Sequence, residues 1–415
     1  VTLNRLDVPQ LRKHFPALQT QCGERPAVFF DGPAGSQVPQ AVADAVSDYL
    51  LHSNANHGGV FATSRQSDAM LAQAHHAAAD FVGAADPGEV VFGANMTSLT
   101  FALSRALART WRSGDEVVVT RLDHDANVTP WVLAARDAGA IVRHVAITGD
   151  CTLDMDDLRR QLSPRTRLVA VGCASNAVGT INPVGEIAQL AHAVGALVFL
   201  DAVHYAPHAL PSIAAWNCDF LACSAYKFFG PHIGILWGRR SLLEALPAYK
   251  VRPAAESLPD RWMTGTQSHE AIAGTLAAIE YLQSLSQSPA PTPRREALAR
   301  SYELIAAHER SLLTRLLDGL EILPSVKVWG ITGRERLHER VPTISISHRR
   351  LKPREVALAL AEQGIFVWHG NFYALPLTEA LGVEPDGLVR IGLLHYNTPE
   401  EVDRLIGALR SLELG

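Results

Sequence analysis

At 415 residues the chain exceeds the size at which a single hydrophobic core usually stops growing, which points to two domains. Apolar residues make up 47% and charged residues 19%, and the formal net charge of −5 lacks the basic footprint of a nucleic-acid binder. No segment approaches the ~20 uninterrupted apolar residues that cross a bilayer, so neither nucleic acid nor membrane is expected as a partner.

The opening stretch Val1–Asp7 shows no charged region followed by an apolar one, hence no secretory signal. The five cysteines, Cys22, Cys151, Cys173, Cys218 and Cys223, are odd in number and lack metal-ligand spacing. They read as buried, reduced, structural thiols, and with them the protein reads as cytoplasmic.

From about residue 88 to 240, short β-rich runs alternate with amphipathic stretches. The runs are Glu89–Gly93, Glu116–Arg121, Ile141–Val145, Arg167–Cys173, Leu197–Asp201, Phe220–Cys223 and Ile233–Gly238. Helical patterns lie between them at Leu99–Trp111, Val128–Asp137 and Val184–Val194. Continuous apolar strands separated by helices predict an α/β domain with a mostly parallel, seven-stranded sheet covered on both faces. Ligands of such sheets bind beyond the carboxyl ends of the strands.

A helix over Glu270–Leu285 is followed by Ser286–Arg295, a Pro- and Ser-rich loop. The remainder reads as a smaller α+β domain. It has a helix over about 296–318, strands near Val341–Ser347, Ile365–Trp368 and Val389–Leu394, and a last helix Pro399–Leu412. The division expected is 1–30, packing on the small domain, then 31–285 and 296–415.

Four features fall at successive strand ends. Gly93–Ser98, with Met96 and Thr97, offers free N–H groups at a helix start, a phosphate site or a simple helix cap. His124, within Asp123–Asn127, is an imidazole able to stack on a planar ring, or a solvated loop histidine. Asp201 closes an apolar strand, where an ionised carboxylate needs a cationic partner or else serves as a helix cap. Lys227 sits among small and aromatic residues just past a buried strand, where desolvation lowers the amine pKa and suits Schiff-base chemistry. Ser224, three residues earlier, is placed to bind phosphate. A phosphate turn, a stacking histidine, an aspartate and a lysine 26 residues beyond it (201 to 227) together fit a pyridoxal 5'-phosphate (PLP) site.

With those residues in place, the chain resembles the aminotransferase class V family, and within it the cysteine desulfurase/selenocysteine lyase-like group. The resemblance runs nearly end to end, through Phe29–Gly35, Asp123–Asn127, Ser175–Thr180, the Asp201 and Lys227 pair, Thr264–Thr266, and Arg390 ahead of Tyr396–Thr398. It implies a PLP-dependent transferase fold of type I with Lys227, His124, Asp201 and His204 at the cofactor. It also implies Thr97 and Ser224 on the phosphate, His204 near the phenolic oxygen, and Asn176 with Arg390 clamping the substrate α-carboxylate. Gly265 and Thr266 would reach the phosphate of a neighbouring subunit, which implies a homodimer with shared active sites.

Three positions depart from the family pattern. Tyr373, in Trp368–Leu377, stands where desulfurases carry a persulfide-forming cysteine. His204 replaces their usual Gln, and Tyr226 replaces the His before the lysine. The expected activity is therefore a lyase acting on a small amino acid through an external aldimine, cleaving a C–S or C–Se bond without persulfide transfer. Aminotransferase, epimerase and decarboxylative aldol-type outcomes are the alternatives. His57, Arg252, His369 and Tyr373 are candidates for contact with the substrate side chain.

Overall fold

The computed structural model describes residues 5–289 and 291–413. Val1–Asn4, part of the stretch read for a signal, and Ala290 of the Pro-rich loop lie outside them. Seven strands form the large sheet: β1 (Val90–Gly93), β2 (Glu116–Thr120), β3 (Ile141–Val145), β4 (Thr166–Gly172), β5 (Leu197–Asp201), β6 (Phe220–Ser224) and β7 (Gly234–Gly238). Their order is β1-β7-β6-β5-β4-β2-β3. Only β7 runs antiparallel to its neighbours, and all other pairs are parallel.

Period-two alternation sends successive side chains to opposite faces, and here both faces are buried. Val118, Val169, Val198, Leu200 and Leu221 join one core, with Phe81 and Ala77 of helix Ala62–Val82 and Ile187 of helix Val184–Ala193. Val117, Val119, Leu168, Phe199 and Phe220 join the other, under helices Met96–Ala108 and Thr129–Ala138. The carboxyl ends Gly93, Thr120, Gly172, Asp201 and Ser224 therefore share one edge.

The first of these helices begins at Met96, three residues before the apolar periodicity starts. Asn95 caps it, its Oδ1 accepting from Ser98 N at 2.8 Å. That shift brings the helix start up to the sheet edge.

The C-terminal part carries a second, antiparallel sheet in the order β8-β9-β11-β10: β8 (Val326–Trp329), β9 (Thr343–His348), β10 (Trp368–Gly370) and β11 (Leu388–Gly392). Helices Arg294–Glu321, Pro353–Ala361 and Pro399–Ser411 cover it around Leu316, Val356, Ile391 and Leu405. The last helix starts with a capping box between Thr398 and Glu401.

Strand β8 and helix Pro353–Ala361 go beyond the sequence expectation. The single strand expected over Ile365–Trp368 splits: Ile365–Phe366 pairs in parallel with Val28–Phe29, while Trp368 starts β10. Arg294 and Arg295 belong to the long helix rather than to the loop. Arg294 pairs with Asp80, and Arg295 donates to the carbonyls of Phe81 and Pro211. Residues 5–30 are shared between the two cores: Val28 and Phe30 enter that of the small sheet, whereas Leu11, Phe15 and Leu18 pack with the large one. No helix among the described residues is long and apolar enough to cross a membrane.

Candidate active site

A cavity opens at the carboxyl edge of the large sheet, between β1, β4, β5 and β6. Met96, Thr97, His124, Asn176, Asp201, His204, Ser224 and Lys227 all line it, so residues spread over 132 positions of the sequence (96 to 227) meet in one place. Lys227 follows β6 in a short 3₁₀ turn and is buried. Its Nζ donates to the carbonyls of Pro33 and Ala34, the latter at 3.1 Å. Burial, with Arg390 nearby and only partly offset by Asp201, lowers its amine to about 7. A lysine near neutrality at pH 7 is a nucleophile and a base.

Asp201 ends β5, buried, and its Oδ1 accepts from Val203 N at 2.8 Å. Burial raises it to about 6, against the lowering influence of that amide and of Lys227. Beside it lies Asp123, to which the sequence assigned no role. It is fully enclosed, accepts from Gly172 N at 2.9 Å and Asn127 Nδ2 at 3.1 Å, and is raised to about 8 by burial and by Asp201. At neutral pH Asp123 is thus mostly protonated, leaving Asp201 as the negative charge.

At the opposite end the start of helix Met96–Ala108 faces the cavity. Ser224 Oγ accepts from Met96 N at 3.1 Å, and its own proton remains available to an anion. Gly234 permits this approach: a Cβ there would fall 2.3 Å from Asn95 C and 2.6 Å from Met96 N.

His124 caps its own loop, Nδ1 accepting from Ala126 N at 3.0 Å, which places the proton of the neutral ring on Nε2. Burial lowers it to about 4, with Lys227 and Arg390 adding to the effect. One face of its ring is stacked by Tyr373, centroids 5.5 Å apart and planes 24° apart. His204 shares a hydrogen bond with Thr343 Oγ1 through Nε2 at 2.9 Å, while its buried Nδ1 has no partner.

Arg390, on β11, reaches across from the small sheet. Its Nη1 donates to the Asn176 carbonyl at 2.9 Å, and its guanidinium lies 4.4 Å from the centre of the Phe372 ring. Burial lowers it to about 9. Arg390 Nε and Asn176 Oδ1 are both buried without partners. Phe372 has no forewarning in the sequence, because its contact depends on a positive φ of 58°.

Not every residue expected at the substrate arrives there. His369 does not line the cavity of its own chain: Trp368 lines the outer part, and the next side chain along a strand points to the other face. Arg252 is exposed in a turn. His57 packs edge-on to His269, centroids 5.9 Å apart, in a separate depression shared with Gly265 and Thr266. Gly265 and Thr266 are exposed and do not line the Lys227 cavity of their own chain.

The cavity fits PLP on its own evidence. Hydrogen-bonding groups at a helix start suit a phosphate, an anionic carboxylate suits a protonated ring nitrogen, and the unpartnered His204 Nδ1 suits a polar ring substituent. A doubly covered sheet with a desolvated lysine at its carboxyl edge defines a type I PLP enzyme. The chain belongs to the aminotransferase class-V family, whose description it matches over residues 28–405, and PLP is the cofactor of that family. It is 34% identical to an aminotransferase-like protein of Gibberella zeae, with 97% of each chain covered. It is 32% identical to a cysteine desulfurase of Synechococcus elongatus, covering 99% of this chain but 64% of that protein's length. The solved apo cysteine desulfurase of Thermococcus onnurineus NA1 superposes with a TM-score of 0.88 at 27% identity, covering 99% of both chains.

Proposed function

We propose that the protein is a PLP-dependent β-lyase, cleaving the Cβ–S or Cβ–Se bond of a small cysteine-like amino acid without passing sulfur to a cysteine of its own. The observation that carries this reading is Tyr373, an exposed phenol stacked on His124 at the cavity. A phenol there cannot form a persulfide. The five thiols offer no replacement. Cys151, Cys173, Cys218 and Cys223 are buried, and burial raises all four, Cys151 to about 11 and Cys218 to about 12, so they are poor nucleophiles. Cys22 lies in the two-residue strand Gln21–Cys22, outside the cavity lining.

In this reading Lys227 would hold the cofactor covalently through Nζ, Thr97 and the Ser224 hydroxyl would hold its phosphate, and Asp201 would pair with its ring nitrogen. When bound, PLP supplies an electron sink that stabilises negative charge at the substrate α-carbon. Arg390 and Asn176 orient the substrate through its α-carboxylate. Once the substrate amine has displaced it from the cofactor, Lys227 Nζ would take the proton from Cα, and the Cβ–S bond would break with its electron pair leaving on sulfur. The balanced outcome is an S-substituted cysteine plus water giving a thiol, pyruvate and ammonium.

The test is purified holoenzyme with L-cysteine, S-substituted cysteines, selenocysteine, L-aspartate and L-alanine, each followed by product identification. Pyruvate and free thiol, without a sulfur adduct on any cysteine by mass spectrometry, are expected. A persulfide adduct, or a pyridoxamine-type spectrum with keto-acid product, would replace this reading with desulfuration or transamination. Lys227→Ala is expected to lose the visible absorbance band that borohydride bleaches in the parent.

A further inference from the structure

Above Lys227 the cavity widens into a vestibule of about 1070 Å³, counted to its open mouth. Its walls include Phe101, Pro130, Trp368 and Tyr373 beside the polar Asp125 and Thr129, with Lys227 and Arg390 on the floor. We propose that this vestibule binds the side chain of the substrate, and that the substrate class is an amino acid carrying a planar apolar group beyond Cβ, such as an S-aryl or S-benzyl cysteine. The proposal rests on the amino-acid lyase reading for the floor of the site and adds what that floor does not specify.

Three observations point the same way. The first is chemical: aromatic and proline faces favour a flat apolar partner through area and ring packing. The second is electrostatic. The cations at the floor are Lys227 and Arg390, and the remaining charge on the wall is the carboxylate of Asp125, which accepts from Thr129 Oγ1 at 2.9 and 3.0 Å. With Arg390 engaged on the α-carboxylate and Lys227 at the cofactor, an anionic side chain finds a negative wall and no further cation among the described residues lining the vestibule.

The third is geometric. The wall segment 371–374 is pinned to the large domain: Asp125 N donates to the Tyr373 carbonyl at 2.6 Å, and Asn176 Nδ2 donates to the Phe372 carbonyl at 2.8 Å. Phe372 packs under Arg390, Tyr373 packs on His124, and both hold a positive φ, 58° and 57°. Such conformations persist where the surroundings over-determine them. The segment is therefore a fixed wall, and it leaves Trp368 and Tyr373 facing the opening with 51% and 74% of their surfaces uncovered.

The experiment separates binding from turnover. The visible spectrum of the holoenzyme is titrated with L-phenylalanine, L-alanine and L-aspartate, none of which carries a sulfur leaving group. L-phenylalanine is expected to bind about tenfold or more tightly than L-alanine, and L-aspartate more weakly than either. Trp368→Ala and Phe101→Ala should each shrink the phenylalanine preference; if Phe101→Ala fails to fold, the half-exposed Trp368→Ala carries the test. Equal or tighter binding of L-alanine, or a preference that survives both substitutions, overturns the proposal. Pyruvate release is then compared for S-benzyl- and S-methyl-L-cysteine. A phenylalanine preference without pyruvate from either keeps the vestibule and rejects the lyase.

Discussion

Charge at the cavity is arranged by burial, and the signs lead to measurable consequences. Lys227 sits at about 7 where a solvated lysine would sit near ~10.4. Below pH 7 its amine is protonated and cannot attack an aldehyde; above pH 7 the free amine dominates. The rate at which apoenzyme develops its visible band on addition of PLP is therefore expected to rise through about pH 7, and a rise centred near 10 would show an unperturbed lysine. Asp201, at about 6, is largely ionised at neutral pH, whereas its neighbour Asp123, at about 8, is not. Asp201→Asn removes the buried counter-charge to a cationic ring. Breaking one side of a buried pair costs about 3–5 kcal/mol, so retention of PLP or exchange of the substrate α-proton is expected to fall by a factor of about 100 or more. Equilibrium dialysis and proton exchange in heavy water measure the two.

At the scale of elements, the helix start at Met96 depends on a close approach that one glycine permits. Gly234→Ala places a Cβ against the backbone of Asn95 and Met96, and overpacking of this kind costs about 1–3 kcal/mol. The midpoint of thermal unfolding is expected to drop, with PLP affinity falling further than stability because the displaced N–H groups face the phosphate end. Calorimetry with and without cofactor separates the two effects. The same element shows what the sequence could convey. Apolar period and length located all seven strands of the large sheet to within a residue or two, since fully buried strands leave continuous runs. The helix start was placed late because a polar cap residue carries no hydrophobic signal. Lys227 and Asp201 were legible because a charge next to an apolar strand end is conspicuous. Phe372 and Asp123 were not, since their importance comes from contacts with residues distant in sequence. One step of strand alternation likewise decides that Trp368, and not His369, lines the cavity of its own chain.

Across the whole molecule, the site straddles two sheets. The loop 175–180 that presents Asn176 is held to the small sheet by Ser345 Oγ donating to the Ala177 carbonyl at 2.6 Å and by Arg340 Nη2 donating to the Val178 carbonyl at 3.0 Å. Arg390 donates to Asn176 from the same side. Thus both groups of the proposed carboxylate clamp are fixed by contacts between the halves of one chain. The phosphate end is different, because Gly265 and Thr266 stand exposed beside His57 in their own chain, away from its Lys227. We infer a homodimer in which Thr266 would complete the partner's phosphate site, and a complementation test follows from it. Lys227→Ala is expected to be inactive because it lacks the lysine, and Thr266→Asp is expected to be inactive because it sets a carboxylate against the partner's phosphate. In a mixed dimer the two lesions fall in one site and the other site is intact. Random reassortment of equal amounts should therefore restore about a quarter of the parent activity, where variants with self-contained sites would restore none. Sedimentation of the mixture, showing dimers throughout, ties the recovered activity to exchange of subunits.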